Sequence, residues 1–113
     1  MIKSKTTVSV NPLQPDVLKY IFINSVLEIR NNEYVSTTSH YYEQDGRNML
    51  IHTGIDLYSN QQINDMYDAL KPQIENLPFT EQIQTGVEIM LLDWFNTNDI
   101  YGIPANTDGW EMI

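Results

Sequence analysis

The dipeptide Asp45-Gly46 constrains the fold of this chain more than any other feature. Both residues tolerate the positive φ angles of a two-residue hairpin turn, and they lie between two long β-rich runs, "EYVSTTSHYYEQ" and "RNMLIHTGIDLY". Pairing Gln44 with Arg47 fixes the register. It puts Tyr34, Ser36, Thr38, His40 and Tyr42 on one face with Met49, Ile51, Thr53, Ile55 and Leu57. This face is the more apolar and is predicted to meet the core. The opposite face carries Val35, Thr37, Ser39, Tyr41 and Glu43 with Asn48, Leu50, His52, Gly54 and Asp56, so the register separates His40 from His52. A slip of one residue would exchange the two faces.

The segments before the hairpin are also extended in character. Residues 5–10, "KTTVSV", alternate as a strand does, and "NPLQP" closes the run. In "DVLKYIFINSVLEIR" the residues Leu18, Ile21, Phe22, Val26 and Ile29 fit a helical stripe, whereas the β-branched and aromatic content favours strand, with a turn or bulge at Asn24-Ser25. Asn31-Asn32 is predicted to make another turn.

Helical periodicity begins after residue 58. Ser59 and Gln62 form a capping-box pair. Ile63, Met66, Tyr67, Leu70 and Ile74 then make one apolar stripe, and Pro72 is predicted to kink or end the helix near Leu70–Lys71. Thr80 is predicted to cap a second helix, with Glu81 in its first turn. On that helix Ile83, Val87, Met90, Leu91, Trp94 and Phe95 form a wide stripe, while Ile89 and Leu92 lie off it as a second, small patch. That patch is expected to meet the first helix, the tail or another subunit. The tail, "NTNDIYGIPANTDGWEMI", reads as irregular chain anchored by Tyr101, Ile103 and Trp110.

The expected architecture is α+β: one domain over 1–113, mainly β over 1–58, two helices over 59–97 and an irregular tail over 98–113. An antiparallel sheet built on the long hairpin would be covered on one face by the two C-terminal helices. With 42% apolar and 19% charged residues, the chain has the composition of a globular protein. The opening "MIKSKTTVSVNPLQP" lacks the apolar stretch of a signal peptide, and no run is long enough for a membrane span.

Charge divides sharply along the chain. Residues 1–47 hold five acids and five bases; residues 48–113 hold ten acids and Lys71 alone, so the net charge of −9 resides in the second part. Such a surface repels phosphate backbones and disfavours nucleic-acid binding. Cysteine is absent, which excludes a thiol nucleophile, a disulfide framework and a Cys-type zinc site. His40 and His52 are the only histidines, and opposite faces would not assemble a nucleophile, a base and an orienting group. His52 and Asp56 share a face, but their Cα atoms would stand about 13 Å apart on a strand. "NTNDIYG" and "NTDGWE" lack the alternation of a calcium loop. The paired carboxylates Asp65/Asp68 and Glu81/Glu88 fall on polar helix faces. No catalysis, cofactor, metal or small-molecule substrate is expected.

Compact, Cys-free and carrying a protruding "YYEQDGRN" hairpin, the chain resembles the small structural proteins of tailed-phage particles, in particular ring-forming tail, neck and connector proteins. The resemblance implies a virion subunit that contacts copies of itself or other virion proteins and is assembled in the host cytoplasm. The expected contact residues are Tyr41, Tyr42, Asp45, Gly46 and Arg47 on the hairpin, together with Ile89, Leu92 and Trp110. The alternative is a small inhibitor that mimics DNA, with Asp56, Asp65, Asp68, Glu75, Glu81 and Glu88 imitating phosphates along one stripe.

Overall fold

The computed structural model describes residues Met1–Ile113. Nine elements follow in order: β1 (Ile2–Ser4), β2 (Val8–Ser9), β3 (Leu18–Lys19), β4 (Phe22–Arg30), β5 (Glu33–Gln44), β6 (Arg47–Tyr58), α1 (Asn60–Ile74), α2 (Phe79–Thr97) and β7 (Trp110–Met112). Five strands form one antiparallel sheet in the order β6-β5-β4-β1-β7, and β2 with β3 makes a small ribbon. Both helices lie on one face of the sheet, so the α+β architecture is as expected. No helix is long and apolar enough to cross a membrane.

Two left-handed turns build the sheet. Asp45 and Gly46 have φ of 52° and 74°, and Asn31 and Asn32 have φ of 50° and 63°. Asn, Asp and Gly tolerate this region, and two successive positive φ angles match the twist of the flanking strands. Residues 22–30 are strand throughout, and nothing interrupts the pairing of Asn24 and Ser25 with Ser39 and Thr38. At the N-terminus the strand lies earlier than the alternation of residues 5–10 suggests. Ile2 and Ser4 are buried, and the backbone leaves the sheet at Lys5, whose N–H bonds to the Gly109 carbonyl at 2.9 Å.

The helix ends follow local chemistry, with two departures. Ser59 Oγ accepts from Gln62 N–H at 3.2 Å, and Gln62 Oε1 accepts from Ser59 N–H at 2.8 Å, completing the capping box. Helix α1 continues through Pro72 to Ile74. A proline there removes only the bond to Asp68 and sits near the C-terminus, where little helix remains to be disturbed. The second departure is at α2, which starts on Pro78 with no side-chain cap, so Thr80 lies inside the first turn. Gln82 does the bridging instead: its amide donates to the Leu77 carbonyl at 3.0 Å and closes the connection between the helices.

Two apolar clusters hold the layers together. Ile2, Ile21 and Ile23 of the sheet region meet Phe95, Ile103 and Trp110; farther along, Ile63, Met66 and Val87 lock α1 to α2. The tail is more ordered than its composition implies. Trp110 begins β7 and is 1% exposed, with its ring 4.8 Å from that of Phe95. Asn96 ties this strand to α2, accepting from Trp110 N–H at 3.0 Å and donating to its carbonyl at 3.3 Å.

Candidate interaction surface

One residue reorganises the long hairpin. From Gln44↔Arg47 to Tyr41↔Leu50 the pairing is as the turn dictates, but the next pair is His40↔His52. Ile51 is therefore an extra residue, a β-bulge, and from His52 onward every side chain of β6 changes face. The expected core face holds for β5, where Ser36, Thr38 and His40 are buried. It fails for the far half of β6. His52, Gly54, Asp56 and Tyr58 turn towards the helices, and Thr53, Ile55 and Leu57 turn away from them.

Two surfaces result. On the helix side, His40 and His52 meet edge to face with ring centroids 5.1 Å apart. They line a cavity of about 500 Å³ together with Thr38, Asp56, Tyr58 and the α2 residues Met90, Leu91, Trp94 and Phe95. Tyr101 Oη lies 2.7 Å from His40 Nδ1. Burial, with the nearby His52 adding to it, lowers the His40 pKa to about 4, so its imidazole is neutral at physiological pH. Burial likewise keeps the Tyr101 phenol protonated. Thr38 Oγ1 is buried and makes no hydrogen bond, so the threonine hydroxyl is not paired with either imidazole. Nor do these residues form a group of three that could hold a metal ion.

The opposite face of the sheet is open. Phe22 stacks on Tyr41 with centroids 5.4 Å apart, and Leu50 pairs with Tyr41 on the next strand. The next row, Asn24–Ser39–Thr53, is polar; beyond it run Val26–Thr37–Ile55 and Glu28–Val35–Leu57, with Val35 itself buried. Val26, Ile55 and Leu57 are 48%, 64% and 61% exposed, and Leu50 is 65% exposed. By register the acids Glu28, Glu33 and Glu43 fall on this face too, Glu28 in the same row as Val35 and Leu57. At its rim, Glu28 and Arg30 pair with each other at 2.7 Å, and Lys3 lies over the Tyr20 ring at 4.3 Å.

The expected contact residues scatter against this arrangement. Tyr41 lies on the open face, half-buried by its stack, and Tyr42 packs towards the core. Asp45, Gly46 and Arg47 are exposed at the hairpin tip. Leu92 packs on the Ile2–Trp110 cluster, and Ile89 sits in a groove with Leu70 and Gln73 of α1. The small α2 patch thus meets the first helix and the folded-back tail. Trp110 is a core residue and cannot be a surface contact. Sequence reasoning missed Val26, Ile55 and Leu57 as outward residues. The available signal was Gly54, which could mark a bulge in its strand, although the bulge falls three residues earlier.

No protein-family model, curated protein or solved structure matches this chain.

Proposed function

We propose that the chain is a non-catalytic structural subunit of a larger assembly, and that the assembly is a bacteriophage particle in which it serves as a tail, neck or connector protein. One observation carries the reading. In the far half of β6 the polar side chains of His52 and Asp56 point at the protein's own helices, while Ile55 and Leu57 point to solvent. A strand that only had to close its own core would do the reverse, because each apolar side chain buried is worth roughly 1.5–3 kcal/mol. The pattern suits a sheet whose second face is covered by another protein.

The DNA-mimic reading has the charge division in its favour, since the acids concentrate on and around the helices. Its stripe is incomplete, however. Glu88 takes the N-terminal ammonium at 3.4 Å and a hydrogen bond from Gln84 at 3.0 Å, so its charge is already engaged within the fold.

Mass spectrometry of salt-washed, nuclease-treated particles tests the reading. A virion subunit is present at a fixed copy number relative to the major capsid protein and survives washing. Its absence from the particles, with the protein remaining in the soluble fraction, overturns the placement.

A further inference from the structure

We propose that the cavity between β6 and α2 binds a small organic cation, one that joins an ammonium group to a flat apolar body. This goes beyond the structural-subunit reading and does not depend on it. The bulge that turns Ile55 and Leu57 outward also delivers the cavity's polar wall, because it brings His52, Gly54 and Asp56 to the helix side together. Alternate residues of a strand stand about 7 Å apart on one face, so His52 and Asp56 flank Gly54. With no side chain, Gly54 leaves a gap between them. The imidazole leans over this gap: its Nε2 lies 3.5 Å from where a Cβ on Gly54 would be. Across the ladder Thr38 pairs with Gly54, and its buried hydroxyl has no partner, so the back of the gap is polar too.

Charge and shape select the occupant. Asp56 lines the cavity and makes no salt bridge within the chain, and Lys71 is the only base after residue 47. A chain with a net charge of −9 attracts cations and repels anions. An ammonium seated over Gly54 donates to the Asp56 carboxylate and to an imidazole nitrogen of His52. The facing wall is apolar and aromatic, made by Met90, Leu91, Trp94 and Phe95 of α2. Trp94 is 49% exposed, so part of a large aromatic surface remains open for stacking and for a cation. A volume of about 500 Å³ accommodates a bicyclic aromatic body with a short side arm. The ligand is held and not transformed.

Heteronuclear NMR titration of the full chain tests this with three indoles of similar size: tryptamine, a cation; tryptophol, neutral; and indoleacetate, an anion. Tryptamine should shift the amides of His52, Gly54 and Asp56 and the Trp94 indole, and leave the hairpin tip unmoved. Asp56 is exposed, so its charge is expected to favour tryptamine over tryptophol by only about three- to tenfold. Indoleacetate should bind more weakly still. Asp56→Asn should remove the preference, whereas Asp68→Asn, which takes the same charge from α1, should keep it. Gly54→Val fills the gap and should weaken all binding at least about tenfold. Valine suits a strand, and circular dichroism melts check that the variant is folded. Asp56→Asn keeps the test decisive even where valine disturbs the sheet. No shift at up to about 10 mM tryptamine, past the millimolar end of the affinity scale, overturns the cavity as a ligand site. Equal affinity for the three indoles overturns the cationic class, and binding that ignores a folded Gly54→Val overturns the location.

Discussion

The side chain of Gln84 completes the backbone of Leu27. Its Oε1 accepts from Leu27 N–H at 2.9 Å, and its Nε2 donates to the Ser25 carbonyl at 2.9 Å. Strand β1 pairs with β4 only at Ile23 and Phe22, so beyond that point the β4 edge has no strand beside it. The carboxamide stands in for one, offering an acceptor and a donor where a neighbouring backbone would. Replacing Gln84 with Ala leaves both groups without this partner, each in a part-buried setting. A loss of about 1–3 kcal/mol is expected in urea unfolding, with faster amide exchange at Leu27. Unchanged exchange at Leu27 would argue against the relationship.

His40 makes the fold acid-sensitive. Its pKa is about 4 in the folded protein against 6.5 when unfolded, so the unfolded chain binds the proton first. Its contribution is complete above pH 6.5 and declines as pH falls from there towards 4. The total loss is at most about 3 kcal/mol. Melting temperatures at pH 7.5, 6, 5 and 4 should drop across that window, and His40→Gln should flatten this part of the profile. A variant whose profile matches the wild type would assign the acid sensitivity elsewhere.

Gly86 of α2 lies directly against the Met66 side chain of α1. A Cβ there would collide with the Sδ of Met66. In an exposed helix Gly→Ala stabilises by roughly 0.5–1 kcal/mol, but here Met66 must first be displaced from a packed site. Overpacking costs about 1–3 kcal/mol, so Gly86→Ala is expected to destabilise by ~1 kcal/mol. In a Met66→Ala background the same change should become stabilising. Additivity of the two substitutions would show that they do not meet.

Trp110 anchors the tail as a core residue. Its replacement by Ala should cost about 3–5 kcal/mol and release β7 from β1. Near-ultraviolet circular dichroism should lose the signal of the packed Phe95–Trp110 pair. If the variant melts like the wild type, the tail does not contribute to the core.

Most of the local structure was legible because it is written in single residues. Asp45-Gly46 and Asn31-Asn32 dictate turns, Ser59 and Gln62 dictate a helix start, and the Ile63–Ile74 stripe dictates a buried face. What was not legible depended on counting across strands. Ile51 is a good β-former, and nothing in its identity says that it will be left unpaired, so alternation sent Ile55 and Leu57 inward and separated the histidines. Pro72 misled for a different reason: its penalty depends on how much helix follows it, and only two residues do. Trp110 misled through its surroundings, since Asn and Gly suggest loose chain and do not reveal that Asn96 reaches back to hold it. The β6 part of the candidate surface was hidden by the bulge, and Val26 by a run whose spacing fits a helical stripe as well as a strand.

That bulge gives β6 an unusual evolutionary grammar. Loss or gain of a codon at the Asp45-Gly46 tip would change the loop and could leave the strand beyond it in register. The same event between Ile51 and His52 would turn seven side chains over together, sending Ile55 and Leu57 into the helices and Asp56 out. Point substitutions could never achieve that exchange in one step. In descendants of this gene, length should therefore drift at the hairpin tip and stay fixed along the stretch from the bulge to Tyr58, whatever the individual residues become.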